Sequence, residues 1–414
     1  MSQLTDTFTS IADAIRYKTG GSSSFTPAQM PSEIMNIPTG PNIIQPFQYV
    51  SSSMSYYEGN ETFIGDRAFV SCTNLTSLSF PSCSYIGERA FSSLGTVTSI
   101  YFPECEYIGA EAFKSVYFSW MSLEFSKCKE IGSAAFTSMG GLSKKFTNIS
   151  FPLCKEIGAE AFAYCQVSLN TNITFPECTT IGSSAFYSFT LPYGAGGSYY
   201  QGFYMSFPKL YAIYPNCFLR CEPIMSFYAP LCTRILSSAF VGAGIVLNGE
   251  TSFIPAVTML GDYAFMNAWI YGSNRWTSIP TTSISFPNVN TIGERCFAGA
   301  RFDGIKSITF PASNIQLYGG YIFANMGMGA TDGTSSTMAV YFSDVTYIYS
   351  LAFGDTNFKN IHFLGSKVAG YDYWESDPIV IPSGVSSIYV KASLVNSYKT
   401  HVLWSHVSRK IVGF

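Results

Sequence analysis

Ser79-Phe-Pro-Ser-Cys-Ser-Tyr-Ile-Gly-Glu-Arg-Ala-Phe91 is the stretch on which the reading of this chain turns. Its second half, I-G-x-x-A-F, stands intact at Ile64–Phe69, Ile86–Phe91, Ile108–Phe113, Ile131–Phe136, Ile157–Phe162 and Ile181–Phe186. Altered copies follow at Ile213–Phe218, Ile235–Phe240, Leu260–Phe265, Ile292–Phe297, Tyr318–Phe323 and Ile348–Phe353. Its first half, S-F-P-x-C, precedes most of them and recurs at Ser150–Cys154. Twelve copies spaced 22 to 32 residues apart predict a solenoid, in which each unit is too small to bury its own apolar face and neighbours must bury it.

One unit is legible in physical terms. Leu75-Thr-Ser-Leu-Ser-Phe80 alternates apolar and polar residues, which reads as a short strand, and Pro81 ends it because proline cannot donate to a ladder. Ile86-Gly87 turns the chain, and Glu88-Arg-Ala-Phe91 is expected to begin a short helical or 3₁₀ turn. Phe80, Ile86, Ala90 and Phe91 are the expected core. The prediction is an α/β repeat solenoid with a parallel sheet of short strands, roughly 60 Å long at about 4.8 Å per coil.

Outward from this unit, lengths matter more than the consensus. From the F-P phenylalanine to the next I-G isoleucine the count is six in nearly every copy, as in Phe80 to Ile86 and Phe207 to Ile213. From the A-F phenylalanine to the next strand it runs from 11 residues (Phe69 to Phe80) to 21 (Phe186 to Phe207, Phe265 to Phe286). Slack confined to one connection predicts insertions on one edge, where repeat proteins carry binding surfaces.

Four insertions stand out: 190–205, 266–279, 324–338 and, after the last full repeat, 365–377. They are rich in Tyr, Trp, Gly, Ser and Asn, the composition of adaptable recognition loops. Tyr193, Tyr199, Tyr200, Trp269, Tyr271, Trp276, Tyr371, Tyr373 and Trp374 are the candidate ligand-binding residues. Inward packing of these aromatics within their own loops is the competing reading.

The alternation of S-F-P-x-C with I-G-x-x-A-F resembles the BspA-like leucine-rich repeats of bacterial and protist surface proteins and of phage-encoded proteins. The resemblance runs from about Phe63 to Pro382 and implies a fold rather than an activity. Residues 41–382 are accordingly read as the solenoid, clearest over 60–363, with 1–40 and 383–414 outside it.

Within residues 1–40, Leu4, Phe8, Ile11, Ala12 and Ile15 share one face of a helix that stops at Gly20-Gly21. Thr26-Pro27 opens a second, with Met30, Ile34 and Ile37 apolar. Two helices this short cannot hold a core alone. This segment resembles the N-terminal segments of phage and prophage tail-associated proteins, a likeness that implies virion attachment through Leu4, Phe8, Ile11, Ile15, Met30 and Ile34. At the other end Ser387–Val390 reads as a last strand. Ala392 to His401 reads as a capping helix, and Trp404 and Val407 are available to pack.

Composition excludes several classes. The chain is 47% hydrophobic, 12% charged and carries a net charge of -3 with no basic run, so a phosphate-tracking footprint is missing and nucleic acid is not an expected partner. No apolar run reaches the length of a membrane-spanning helix, and no secretory signal is legible at the N-terminus. Six of the eleven cysteines (Cys83, Cys105, Cys128, Cys154, Cys178 and Cys232) share one repeat position and read as free, buried thiols. Cys217 and Cys221 are not accompanied by a second pair, and no metal site is expected.

His362, His401 and His406 match no metal or catalytic spacing, and no nucleophile elbow, phosphate loop or dinucleotide fingerprint occurs. Glu88, Glu111, Glu160 and Glu294 recur at the repeat period and read as a solvated ladder rather than a catalytic pair. The sequons at Asn60, Asn74, Asn148 and Asn172 read as Ser/Thr-rich repeat chemistry.

The expectation is therefore a non-enzymatic, cofactor-free tail-fibre or receptor-binding protein, made in the host cytoplasm and carried on a virion. It would bind a host-surface glycan or protein, contact other tail or baseplate proteins and, by analogy with other fibres, form a homotrimer. The alternative is a cellular adhesin or interaction module with no virion.

Overall fold

In the computed structural model the repeat becomes a parallel β-solenoid. The structure describes residues 43–44, 54–119, 122–140, 148–191, 202–247, 251–252, 254–272, 281–327, 338–357, 359–370 and 377–414. Residues 1–40, with every proposed attachment residue, lie outside that set.

Each coil has three sides. The first carries the residue pair ending in the I-G isoleucine: Phe63–Ile64, Tyr85–Ile86, Tyr107–Ile108 and their successors. These strands pair in parallel and in register, Phe63 on Tyr85 on Tyr107 and Ile64 on Ile86 on Ile108. They form a seven-stranded sheet and then a six-stranded one, so about thirteen turns stack along this side. Ile43–Ile44 begins the first of them and pairs with Phe63–Ile64, one coil before the first copy of the motif. The sequence predicts its strands before F-P and a turn at Ile86-Gly87. The strand before F-P forms at Ser77–Ser79 on another side, and Tyr85–Ile86 is itself a strand because the neighbouring coils offer it a ladder, broken once between Thr180–Ile181 and Ala212–Ile213.

After the glycine comes a corner, and here the expected helical turn is not what forms. Arg89 and Ser93 have φ of 54° and 59°, and the same two places are left-handed in coil after coil. Every other residue of the corner donates to the next coil: Arg89 N–H to Ala110 O (2.9 Å), Phe91 N–H to Ala112 O (2.8 Å) and Ser93 N–H to Lys114 O (2.8 Å). The residues between donate three back within their own turn, as Ala90 N–H does to Gly87 O. A left-handed residue with a side chain costs roughly 1–2 kcal/mol. That cost is offset because the alternation pairs each N–H from Arg89 to Ser93. A helix would satisfy the corner internally and leave it nothing to offer the next coil.

The glycine is set by close approach. A Cβ on Gly158 would lie 2.5 Å from the backbone nitrogen of Ser133 in the coil below, and Gly132 and Gly182 are held the same way.

Inside, the A-F phenylalanines form one column: Phe91, Phe113, Phe136, Phe162, Phe186, Phe218, Phe240 and Phe265 stack with ring centroids 5.2–5.4 Å apart. The F-P phenylalanines form a second, edge-on to the first, with Phe151 and Phe175 at 5.3 Å. Phe80, Ile86, Ala90 and Phe91 are fully buried, as the unit required. The cysteines are free and buried. Each of the recurrent six donates its thiol to the carbonyl two residues on, as Cys83 Sγ does to Tyr85 O at 3.2 Å. Burial pushes the Cys83 thiol up to about 12, so it is a packing group and not a nucleophile.

The C-terminus closes the stack. Ser387–Val390 pairs with Asn360–Phe363 as expected, but it is not last: Ile411–Gly413 adds one more parallel strand. Between them lie a 3₁₀ turn at Ala392–Leu394 and a six-residue helix, Val395–Thr400. Tyr398 and Trp404 are buried and clamp one residue: Ala369 N–H donates to Tyr398 Oη (2.8 Å) and Trp404 Nε1 donates to Ala369 O (2.9 Å). Among the described residues no helix is long and apolar enough to cross a membrane.

Candidate functional site

The second side of each coil is the connection whose length varies. Its strands include Thr96–Val97, Gly244–Val246, Trp269–Tyr271 and Arg301–Asp303, the last three paired in register. Two of the candidate residues are therefore built into the stack. The Arg301 guanidinium lies 4.7 Å over the Trp269 ring, and Tyr271 meets Trp269 edge-on at 6.3 Å. Both aromatics are half-buried. Their strand alternation explains this: Ile270 points into the core and the flanking rings point out.

Just beyond them the chain leaves the ladder and comes back at one point. Thr281 N–H donates to Gly272 O at 2.6 Å, and a Cβ on Gly272 would lie 2.1 Å from Thr281 O. Residues 273–280, which connect the two sides of that neck in sequence, lie outside the described residues. Trp276 is among them, and like Tyr193, Tyr199, Tyr200, Tyr371, Tyr373 and Trp374 it lies outside the described residues.

The insertions at 190–205, 266–279 and 324–338 all start from this second side, where Thr190 bridges both Gln166 and Glu222 and Gly327 N–H donates to Ala300 O. The fourth, expected on the same edge, does not. Ala369, six residues after Phe363, is buried at the place of an I-G isoleucine, and Gly370 packs against Ile348. Val380 N–H then donates to Ser350 O in the corner below. Ala369 and Gly370 thus occupy the I-G place of a further coil, and residues 371–376 lie outside the described residues.

Two further surfaces were not singled out by sequence. Along the first side a groove of about 300 Å³ follows the glycine row, lined by Gly109, Gly132, Gly158 and Gly182 together with Glu130 and Glu156. Those two carboxylates occupy adjacent strands of one column. The third side, formed by the strands before F-P, is flat and carries exposed Tyr56, Tyr101, Tyr204 and Tyr228 among serines, threonines and asparagines. It ends in a ring stack in which His362 lies 4.2 Å from Tyr341 and 4.5 Å from Tyr389. Burial holds the imidazole below its ordinary value.

The four glutamates expected as one ladder occupy two columns. Glu88 and Glu294 directly follow the glycine, whereas Glu111 and Glu160 fill the left-handed place one residue on. Arg89 Nε donates to Glu111 Oε2 at 2.8 Å and Lys114 lies 3.1 Å from it, which lowers the Glu111 carboxyl to about 2. Among the described residues no group of three or more metal-ligating side chains converges.

A family model described as the BspA-type leucine-rich repeat region matches residues 62–192 and 272–378, more than half of the chain. The chain belongs to the BspA-type leucine-rich-repeat family. Two solved structures resemble this family member in fold. One is a leucine-rich-repeat protein from Bacteroides ovatus, 19% identical, covering 85% of this chain and 78% of that one with a TM-score of 0.43. The other is the pneumococcal vaccine antigen PcpA, 15% identical, covering 91% and 94% with a TM-score of 0.42. Among curated proteins none matches.

Proposed function

We propose that this BspA-type solenoid is a recognition protein of a phage tail, binding a host-surface glycan or protein without chemically changing it. One observation carries the reading. The coil is invariant in length at its corner, yet free in length on the side that holds Trp269, Tyr271 and Arg301 and from which three insertions depart. Repeat proteins that only pack have no use for such one-sided slack. Residues 1–40 supply the attachment to the virion, as a homotrimer in contact with other tail or baseplate proteins.

The full-length chain with Trp269→Ala and Tyr271→Ala is expected to lose at least tenfold in binding to host cells while melting near the parent. Unchanged binding removes the edge from the reading. Deletion of residues 1–40 is expected to spare cell binding and abolish incorporation into particles. Incorporation of the truncated chain overturns the attachment role, and detection of the chain on intact, uninfected cells replaces the virion with a cellular adhesin.

A further inference from the structure

On the flat third side, away from the insertion-bearing edge, we infer that a neutral, extended oligosaccharide chain binds along the solenoid axis between Tyr101 and Tyr228. The surface is built by register. Glu124, Ser150, Thr174, Ser206 and Tyr228 are direct neighbours on consecutive strands. Tyr101 takes the same place in the coil before, since Phe102 and Phe125, the next residue in each, stack at 5.9 Å. Five strands thus carry one row in register from Glu124 to Tyr228, and Tyr101 stands at the same place in the coil before, across a break in the sheet; both tyrosines are 55% exposed. Five steps at about 4.8 Å separate them by roughly 24 Å.

The chemistry of the row selects the ligand. Between the tyrosines stand three hydroxyls and one carboxylate, and the parallel row beside it adds Asn148, Asn172 and Tyr204 in register. Glu124 is the one charge on these two described rows, and Asn148 Nδ2 donates to it at 3.0 Å. A surface of this kind has no counter-charge for an anionic polymer. It has closely spaced donors and acceptors that can each serve as either, because hydroxyls rotate. Polyhydroxylated chains are the complementary polymer. A strand-to-strand period near the length of one pyranose lets successive sugars meet successive coils. The terminal tyrosines offer ring faces for the C–H faces of sugars, at low entropic cost because the backbone beneath them is fixed in the sheet.

The full-length protein tests this by affinity electrophoresis in gels containing a mixed-linkage β-glucan, a galactomannan or alginate, with Tyr101→Ala, Tyr228→Ala and Trp269→Ala beside the parent. Retardation by at least one neutral polysaccharide is expected, weakened about tenfold by each tyrosine variant. Inhibition by purified fragments of that polysaccharide should strengthen with length up to about five or six sugars and then level off. No retardation in either neutral gel, retardation indifferent to both tyrosine variants, or stronger retardation in alginate each overturn the assignment. Loss of host-cell binding with Trp269→Ala but intact glycan retardation separates the fate of this surface from that of the edge. Thermal melting within about 2 °C of the parent confirms that the exposed variants are folded.

Discussion

The I-G-x-x-A-F corner and the connection that follows it are parts of the same coil, yet they obey opposite rules. At the corner alternate residues bond to the next coil, the glycine is held against the backbone below, and the phenylalanine sits in a column with a step of 5.2–5.4 Å. On the connection side the chain can step off after a short strand and return through a neck such as Gly272–Thr281. Invariance follows where every backbone group is committed to a neighbour. Variation is tolerated where the commitment is confined to the two ends.

The sharpest way to break this contrast is to insert one residue on each side. A glycine placed between Arg89 and Ala90 shifts the left-handed alternation by one and is expected to cost more than about 4 kcal/mol in urea unfolding. The same glycine between Asn274 and Arg275 should cost about 0.5 kcal/mol or less, since lengthening a closed loop is entropically cheap. Equal losses would mean the connection is as constrained as the corner.

Truncation of the core column comes next. Phe162→Ala, fully buried between Phe136 and Phe186, is expected to lose about 3–5 kcal/mol. Trp269→Ala, only partly buried, should lose about 1 kcal/mol by the same measurement. Gly158→Ala is smaller than the phenylalanine loss, about 1–3 kcal/mol, because the coils must part by a fraction of an ångström to admit the methyl. A neutral result there would remove close approach as the reason for the glycine row.

The smallest effect belongs to charge. Hydrogen bonding by Arg89, helped by Lys114, brings the Glu111 carboxyl from 4.5 to about 2. The folded value lies below the unfolded one, so this stabilisation is whole above about pH 4.5 and is lost as pH falls towards 2. Solvent screens the pair, and Arg89→Ala should remove under about 1 kcal/mol at pH 7. It should also flatten the acid limb of stability between pH 4.5 and 2, and an unchanged limb would assign that limb to other carboxylates.

The twelve copies of the motif, the core identity of Phe80, Ile86, Ala90 and Phe91, and the buried thiols were all legible in the chain, because each rests on a local pattern repeated until chance is excluded. The extra strand at Ile43–Ile44 carries only two residues of pattern, and Ile411–Gly413 lies in a segment whose pattern is that of a cap; both are strands because a neighbour offers them a ladder. Likewise 365–377 shares the composition of the other insertions, and only the position of Ala369 and Gly370 in the stack shows that these two residues belong to the first side.

What the sequence by itself determined is the repeat: its period, its core, and the one connection free to vary. Tertiary structure decided how the corner is made and which residues share a face. Glu-Arg-Ala-Phe has no reason of its own to alternate into the left-handed region, and does so only because a coil above and a coil below accept what it donates. Tyr101 and Tyr228 are 127 positions apart in the chain and share one row only because the coils stack, with Glu124, Ser150, Thr174 and Ser206 standing between them. Periodicity is a property of the chain, whereas adjacency across coils exists only after stacking.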